Sequence, residues 1–330
     1  MLNKINNRFL AAPMAGITDS PFRKILRLFF NGLVFTEMVS VMALKYNFER
    51  EMKILKFDDI ERPLGIQIFG KSPEEFFNAA SIIRRLKPDV LDINMGCPAR
   101  KVVSSGSGSA LLRDRVLAKE IISSSLEGFK GPVSLKMRIL DSSDIEKTLA
   151  FIDYAVPEGI NFVTLHLRTP GDKFSKPVNY DICRDIFLCR KPTIVINGGI
   201  DSREKADLLF GLGAGYLMIG HAMLGKPQVF QYLEGRYTIR ADDQILRKLI
   251  DYIDEKDLNQ ETFNTAMVPY LHLLLMLKEK PLTGIREFRK HFCWYTKGIA
   301  RSKEYRNAVF RSTDHEYVKN LVMELCKNVG

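Results

Sequence analysis

Short apolar runs alternate with longer amphipathic stretches along most of the chain. Eight runs are rich in β-branched and aromatic residues: Phe9–Gly16, Leu33–Ser40, Pro63–Gly70, Val90–Gly96, Pro132–Ile139, Phe162–Thr169, Thr193–Gly199 and Tyr216–Met223. Most begin as near-continuous apolar segments, the pattern of parallel strands buried on both faces. Helical patterns lie between them. In one, Ser72 stands as N-cap, Pro73 at the first helical position and acids in the first turn. Another is capped by Asp201 or Ser202 and ends at Gly211 or Gly213. Eight such units between Phe9 and Met223 predict a (β/α)8 (TIM) barrel; a doubly wound sheet does not need eight. Strand signals stop after about residue 236, and helical patterns run to Gly330. The expected architecture is therefore a catalytic barrel over 1–236 and an all-helical domain over 237–330.

Polar and reactive residues gather at the C-terminal ends of the predicted strands: Met14, Glu37, Gln67, Asn94, Lys136, His166, Asn197 and Gly220 mark the eight ends. In a barrel that end carries the active site. Solvation of strand ends explains polarity there, but not why Gln67, Asn94 and Lys136 stand inside otherwise apolar runs. Cys97, in Asn94-Met95-Gly96-Cys97-Pro98, follows the fourth strand and falls in a loop over the barrel mouth. A thiol there could act as nucleophile or proton donor. Cys183 and Cys189 fall in a helical stretch and Cys293 and Cys326 in the helical tail, where a packing role is the expectation. After strand seven, Asn197-Gly198-Gly199 precedes a helix, and Gly220-His221 follows strand eight. Barrel enzymes commonly bind phosphate at this pair of ends, so a phosphorylated ligand is expected. Ser105–Asp114 is Gly/Ser-rich without matching a P-loop and reads as a loop; no G-x-G-x-x-G follows the first strand and no H-E-x-x-H is present.

Composition narrows the class further. The 330 residues are 46% hydrophobic and 27% charged, which excludes a disordered or collagen-like chain. Five cysteines without a C-x-x-C pair argue for a reducing compartment and against a disulfide framework or a zinc site; no metal is expected. The N-terminus has no apolar h-region and no run approaches membrane-spanning length, so the expected location is the cytoplasm. The net charge of +10 is uneven. Asp242–Glu261 holds seven acids and three bases; Lys278–Arg311 holds ten bases and three acids, interleaved with Phe288, Phe292, Trp294, Tyr295, Tyr305 and Phe310. A polyanion dock and a solvated helix face over a buried aromatic stripe both fit this pattern. Arg286, Lys290, Lys297 and Arg301, spaced four, seven and four apart, share one face if the helix is continuous.

Together, APMAGITD (Ala12–Asp19), NMGCP, Lys136-x-Arg138, the NGG and IGHAM strings and REFRKHFCWYTKG (Arg286–Gly298) make the chain resemble the tRNA-dihydrouridine synthases, the bacterial B-type branch in its tail. The resemblance spans nearly the whole chain. It implies FMN-dependent reduction of a tRNA uridine to 5,6-dihydrouridine with NADPH as reductant, by a monomer. FMN would meet Pro13, Met14, Ala15, Gln67, Lys136 and His166. Its phosphate would meet Asn197, Gly198, Gly199, Gly220 and His221. Cys97 would donate the proton, with Asn94, Arg138 and Arg168 near the uracil. Another RNA such as rRNA, or a small pyrimidine, stays open as substrate. The chain departs from the family after His166, where H-x-R-T-R-x-Q-x-Y-x-G is usual: Leu167, Pro170, Asp172, Phe174 and Lys176 stand at changed positions, and His221 replaces a common Arg. That departure touches RNA contacts more than cofactor binding.

Overall fold

The computed structural model describes residues 1–187, 193–254 and 258–329. Among the described residues there are eight strands: β1 (Phe9–Ala11), β2 (Val34–Ser40), β3 (Leu64–Phe69), β4 (Val90–Met95), β5 (Val133–Arg138), β6 (Ile160–His166), β7 (Ile194–Asn197) and β8 (Tyr216–Ile219). All pair in parallel, in the order β1-β8-β7-β6-β5-β4-β3-β2. The ring closes between β1 and β2 through the parallel bridge Leu10–Leu33, where the Ala11 N–H donates to Leu33 O at 2.9 Å. The fold is a (β/α)8 barrel followed by helices.

Alternation along each strand decides what fills the barrel. Leu10, Leu33, Phe35, Val90, Phe162, Val195 and Met218 form one buried cluster, with Leu2 added from the N-terminal turn. Two residues further along the same strands stand Asp92, Thr164 and Asn197, and two further again from Asp92 and Thr164 stand Asn94 and His166. The interior is thus apolar toward the strand N-termini and polar toward their C-termini.

By packing, the chain divides into two compact units: Met1–Ala15 with Asn31–Gly220, and Gly16–Phe30 with His221–Gly330. The second unit therefore includes the helix Ser20–Arg27. Asp19 caps that helix, accepting the Phe22 N–H at 3.1 Å. Within this unit Phe30 stacks on Phe230 with ring centroids 3.8 Å apart, and the Asp242 N–H donates to Leu28 O at 2.7 Å. Tyr270, Leu271, Leu273, Leu275, Met276, Phe288 and Phe292 are buried.

One expectation about the tail needs correction. The basic helix is not continuous: Gly284–Tyr295 ends before Thr296, and Ser302–Arg311 begins after Arg301 at φ +55°. Lys297 and Arg301 lie in the connection, so the four bases do not share one helical face. Arg289 is tied to the neighbouring helix. Its guanidinium donates to Val309 O and Ser312 O at 3.3 and 3.1 Å and lies over the Phe310 ring. Phe288 and Phe292 are core residues, in keeping with the buried aromatic stripe. Ser105–Asp114 is not merely loop, since Gly108–Arg113 forms a 3-10 turn. Cys183 opens the short helix Cys183–Ile186; Cys189 lies outside the described residues.

Phe162 sits at the centre of the apolar half, fully buried. Phe162→Ala is expected to destabilise the barrel by about 3–5 kcal/mol. Urea unfolding followed by circular dichroism measures this, and a loss under about 1 kcal/mol would contradict a packed barrel floor.

Candidate active site

The polar half of the barrel holds one connected hydrogen-bond chain. Asp92, fully buried, accepts from the Ser134 hydroxyl at 2.6 Å and from Gln67 Nε2 at 2.7 Å. Gln67 Oε1 in turn accepts from Asn94 Nδ2 at 2.9 Å. Asn94 Oδ1 accepts from the backbone N–H groups of Gly96 and Cys97 at 3.1 and 3.0 Å. Burial raises the Asp92 carboxyl to about 6, against the lowering by its Ser134 and Gln67 donors and by Lys136. Sequence reasoning passed over Asp92 and Ser134. The available signal was the period of two in Val90-Leu-Asp-Ile-Asn, which puts Asp92 on the same interior face as Asn94.

Cys97 is fixed from its carbonyl side as well. The Ser109 N–H donates to Cys97 O at 3.0 Å. Gly108, at φ +61°, makes that approach possible, because a Cβ there would lie 2.8 Å from Cys97 O. The Gly/Ser-rich segment thus serves the cysteine loop. The thiol itself is half-buried, and Lys136 and Arg138 both lie close enough to respond to a charge on it. Cys183 and Cys326 are buried, which pushes each thiol up to about 12 and makes them unreactive packing groups.

Lys136 donates from Nζ to Asn197 Oδ1 at 3.0 Å, and Asn197 Nδ2 donates to Met218 O at 2.8 Å. Burial lowers the Lys136 ammonium to about 8; Asp92 partly offsets this. His166 ends β6 beside Asn197 in register and is buried. Gly198 and Gly199 follow at φ +121° and +72°, conformations that suit glycine, and Ser202 caps the helix Arg203–Gly211 directly after them. A Cβ on Gly199 would meet the Tyr180 hydroxyl at 3.0 Å. Gly220 follows β8 in the first unit; a Cβ there would meet only Ala12, at 3.7 Å. His221 is exposed and opens the second unit's 3-10 turn His221–Met223. Pro13, Met14 and Ala15 follow β1 in irregular backbone, half-buried to exposed.

The segment after β6 is tied down by two arginines. Arg138 donates from Nε to Gly96 O at 3.0 Å and from Nη1 to Thr169 O at 2.8 Å, so it joins the cysteine loop to this segment. Arg168 donates from Nε to Lys176 O at 2.7 Å. Asp172 accepts from the Thr169 N–H at 2.8 Å and from Lys176 Nζ at 2.6 Å. Phe174 lies over Arg138 and edge-on to His166, with half its surface exposed. Asp172, Phe174 and Lys176, atypical by sequence, therefore form a self-consistent turn.

A separate cluster lies within the second unit. Asp19, His272 and His291 are buried, and one ligating atom of each falls within 4.8 Å of the others. Lys280 donates to Asp19 Oδ2 at 2.7 Å. Burial, then the charges of Lys290 and Lys280, hold His291 down to about 3. The Lys280 ammonium thus already serves the Asp19 carboxylate as its cation.

Fold and site together define a (β/α)8 barrel enzyme with a thiol, an ammonium and an amide network at its C-terminal mouth. The sequence profile of the dihydrouridine synthase (Dus) family matches residues 10–329, and the chain belongs to that family. It is an oxidoreductase of the dihydrouridine synthase type. It is 33% identical over 314 residues to the tRNA-dihydrouridine synthase B of Pasteurella multocida, covering 94% of this chain and 90% of that protein. It is 29% identical over 329 residues to a probable tRNA-dihydrouridine synthase of Rickettsia conorii, covering 99% and 95%. Among the described residues no helix is long and apolar enough to cross a membrane.

Lys136 binds fewer protons folded than unfolded between about pH 8 and the ordinary lysine value of 10.5. Its contribution to stability therefore rises with pH across that window, as the cost of burying the cation disappears. Lys136→Met lacks this dependence. On protein stripped of ligand, the melting temperature of the parent minus that of the variant is expected to increase from pH 7.5 to pH 10. A flat difference would contradict the burial of a charged Lys136.

Proposed function

We propose that this enzyme reduces a uridine in tRNA to 5,6-dihydrouridine, using FMN re-reduced by NADPH, as a cytoplasmic monomer. The observation that carries the reading is the clamped Cys97, held by Asn94 on its N–H and by Ser109 on its carbonyl, with its half-buried thiol beside Lys136 and Arg138.

The residues present suit FMN. A glycine pair in left-handed backbone directly before a capped helix offers N–H groups to a phosphate, with Gly220 as a further contact. Lys136, His166 and the remaining Gln67 amide N–H supply a cation and donors for a ring edge that gains negative charge. Pro13, Met14 and Ala15 supply backbone after β1. When bound, FMN supplies the hydride for uracil C6.

The chain's own groups do the rest. Charge develops at C5 and O4 of the base as C6 is reduced. The Cys97 thiol delivers a proton to C5, a general-acid role that needs the sulfur fixed relative to the base. One Asn94 amide N–H meets only the Met38 thioether at 3.6 Å and is available to a base carbonyl. Arg138 and Arg168 present their remaining N–H donors beside it. The uridine must leave its stack to enter the mouth. The exposed bases Arg286, Lys297, Lys303 and Arg311 supply phosphate contacts from the helical unit.

Heat denaturation is expected to release FMN rather than FAD. Cys97→Ala should retain flavin and NADPH-driven bleaching but lose about 10²–10⁴-fold in dihydrouridine formation. Parent-like turnover of that variant would remove Cys97 from the mechanism. Mapping dihydrouridine in tRNA and rRNA from cells lacking the gene tests the substrate. Loss at a tRNA position is expected; loss in rRNA alone would move the substrate, and no loss would overturn the reading.

Charge reversal to Glu at Arg286, Lys297, Lys303 and Arg311 should weaken tRNA binding by orders of magnitude at low salt, with the flavin spectrum intact. Equal affinity for parent and variant would assign these side chains to solvation alone.

A further inference from the structure

Buried polar groups in a barrel floor are retained only where each donor meets an acceptor. Here that requirement orders a whole row of side chains. The two N–H groups of Gly96 and Cys97 need an acceptor, which fixes Asn94 Oδ1 toward them. Asn94 Nδ2 then points at Gln67, which fixes Gln67 Oε1 toward it and leaves Gln67 Nε2 pointing at residue 92. Only an acceptor at 92 closes the row. Asp92 is one, and the Ser134 hydroxyl occupies its other oxygen. Remove the acceptor and Gln67 gains by turning over. Asn94 must then turn as well, which sets its NH₂ against the N–H groups it had held.

We infer that Asp92 is a positioning residue: its buried oxygens fix the amide orientation of Gln67 and Asn94, and through them the loop that carries the Cys97 thiol. Asp92 touches neither the thiol nor the mouth. Its role is to supply an acceptor, not a charge, which separates it from a carboxylate that merely balances Lys136. The inference rests on the proposed role of Cys97 only where turnover is the readout.

The test uses the purified, flavin-loaded full chain. Cys97 alkylation by iodoacetamide is followed by mass spectrometry of its peptide, alongside kcat per bound flavin and KM for tRNA. Asp92→Val, a residue that suits a strand and fills the space, is expected to speed alkylation several-fold as the loop loosens. It should also lower kcat by about 10²-fold, the order of effect of an ångström-scale misplacement, with KM little changed. Asp92→Ala serves equally where the valine variant does not fold. Asp92→Asn keeps an acceptor for Gln67 and turns its NH₂ to the Ser134 oxygen, so both readouts should stay within about threefold of the parent, far from the loss a misplaced group brings. Unchanged alkylation and kcat in Asp92→Val would overturn the inference. So would an Asp92→Asn variant as impaired as Asp92→Val, which would assign the effect to charge. Faster alkylation with unchanged kcat would support the positioning role and instead remove Cys97 as the proton donor.

Discussion

The constraint on which the rest depends is closure of eight parallel strands into a ring whose interior must be filled by alternate residues. Each strand contributes its inward positions in steps of two, so a strand can be apolar at one end and polar at the other without changing register. Leu10, Phe35, Val90, Phe162 and Val195 fill the first half. Asp92, Asn94, Lys136 and Asn197 fill the second. The apolar half holds the ring rigid, and the polar half inherits that rigidity. This is how a carboxylate with no access to solvent can be accommodated: its donors arrive from Gln67 and Ser134 on neighbouring strands whose spacing the ring dictates.

Lys136 and Asp92 show the two outcomes of burial at this boundary. Desolvation pushes the ammonium down to about 8 and the carboxyl up to about 6, and each charge moderates the other's shift. Both still carry charge near neutral pH. The ammonium has Asn197 as its hydrogen-bond partner and lies toward the mouth, whereas both Asp92 oxygens are occupied by protein donors. The first is suited to a ligand that gains negative charge. The second is suited to holding its neighbours still.

The loops over the mouth are less uniform than the barrel but are built on the same principle of satisfied backbone groups. Arg138 joins the cysteine loop to the segment after β6 by donating to Gly96 O and Thr169 O. Asp172 and Lys176 stabilise that segment from within. In the helical unit, Phe288 and Phe292 are consumed by packing and Arg289 by the carbonyls of Val309 and Ser312, so the charges left for a polyanion are fewer than the basic count implies.

The sequence by itself determined the barrel and the strand ends. Strand burial on two faces, helix caps at Ser72 and Ser202, and polar residues at fixed strand positions are local properties, written within a few residues of one another. The placement of Cys97, Lys136, Asn197 and the glycine pair at or just after strand ends was legible for the same reason. Only the tertiary structure decided the partners. Asp92 looked like any polar residue in an apolar run until Gln67, 25 residues earlier, and Ser134, 42 residues later, were brought to its two oxygens. The grouping of Ser20–Arg27 with the C-terminal helices, and the break after Tyr295 that disperses the basic face, were equally hidden. Periodicity reports which face of an element is buried. It carries no information about which distant donor meets which acceptor, because that depends on how the closed ring registers one strand against the next.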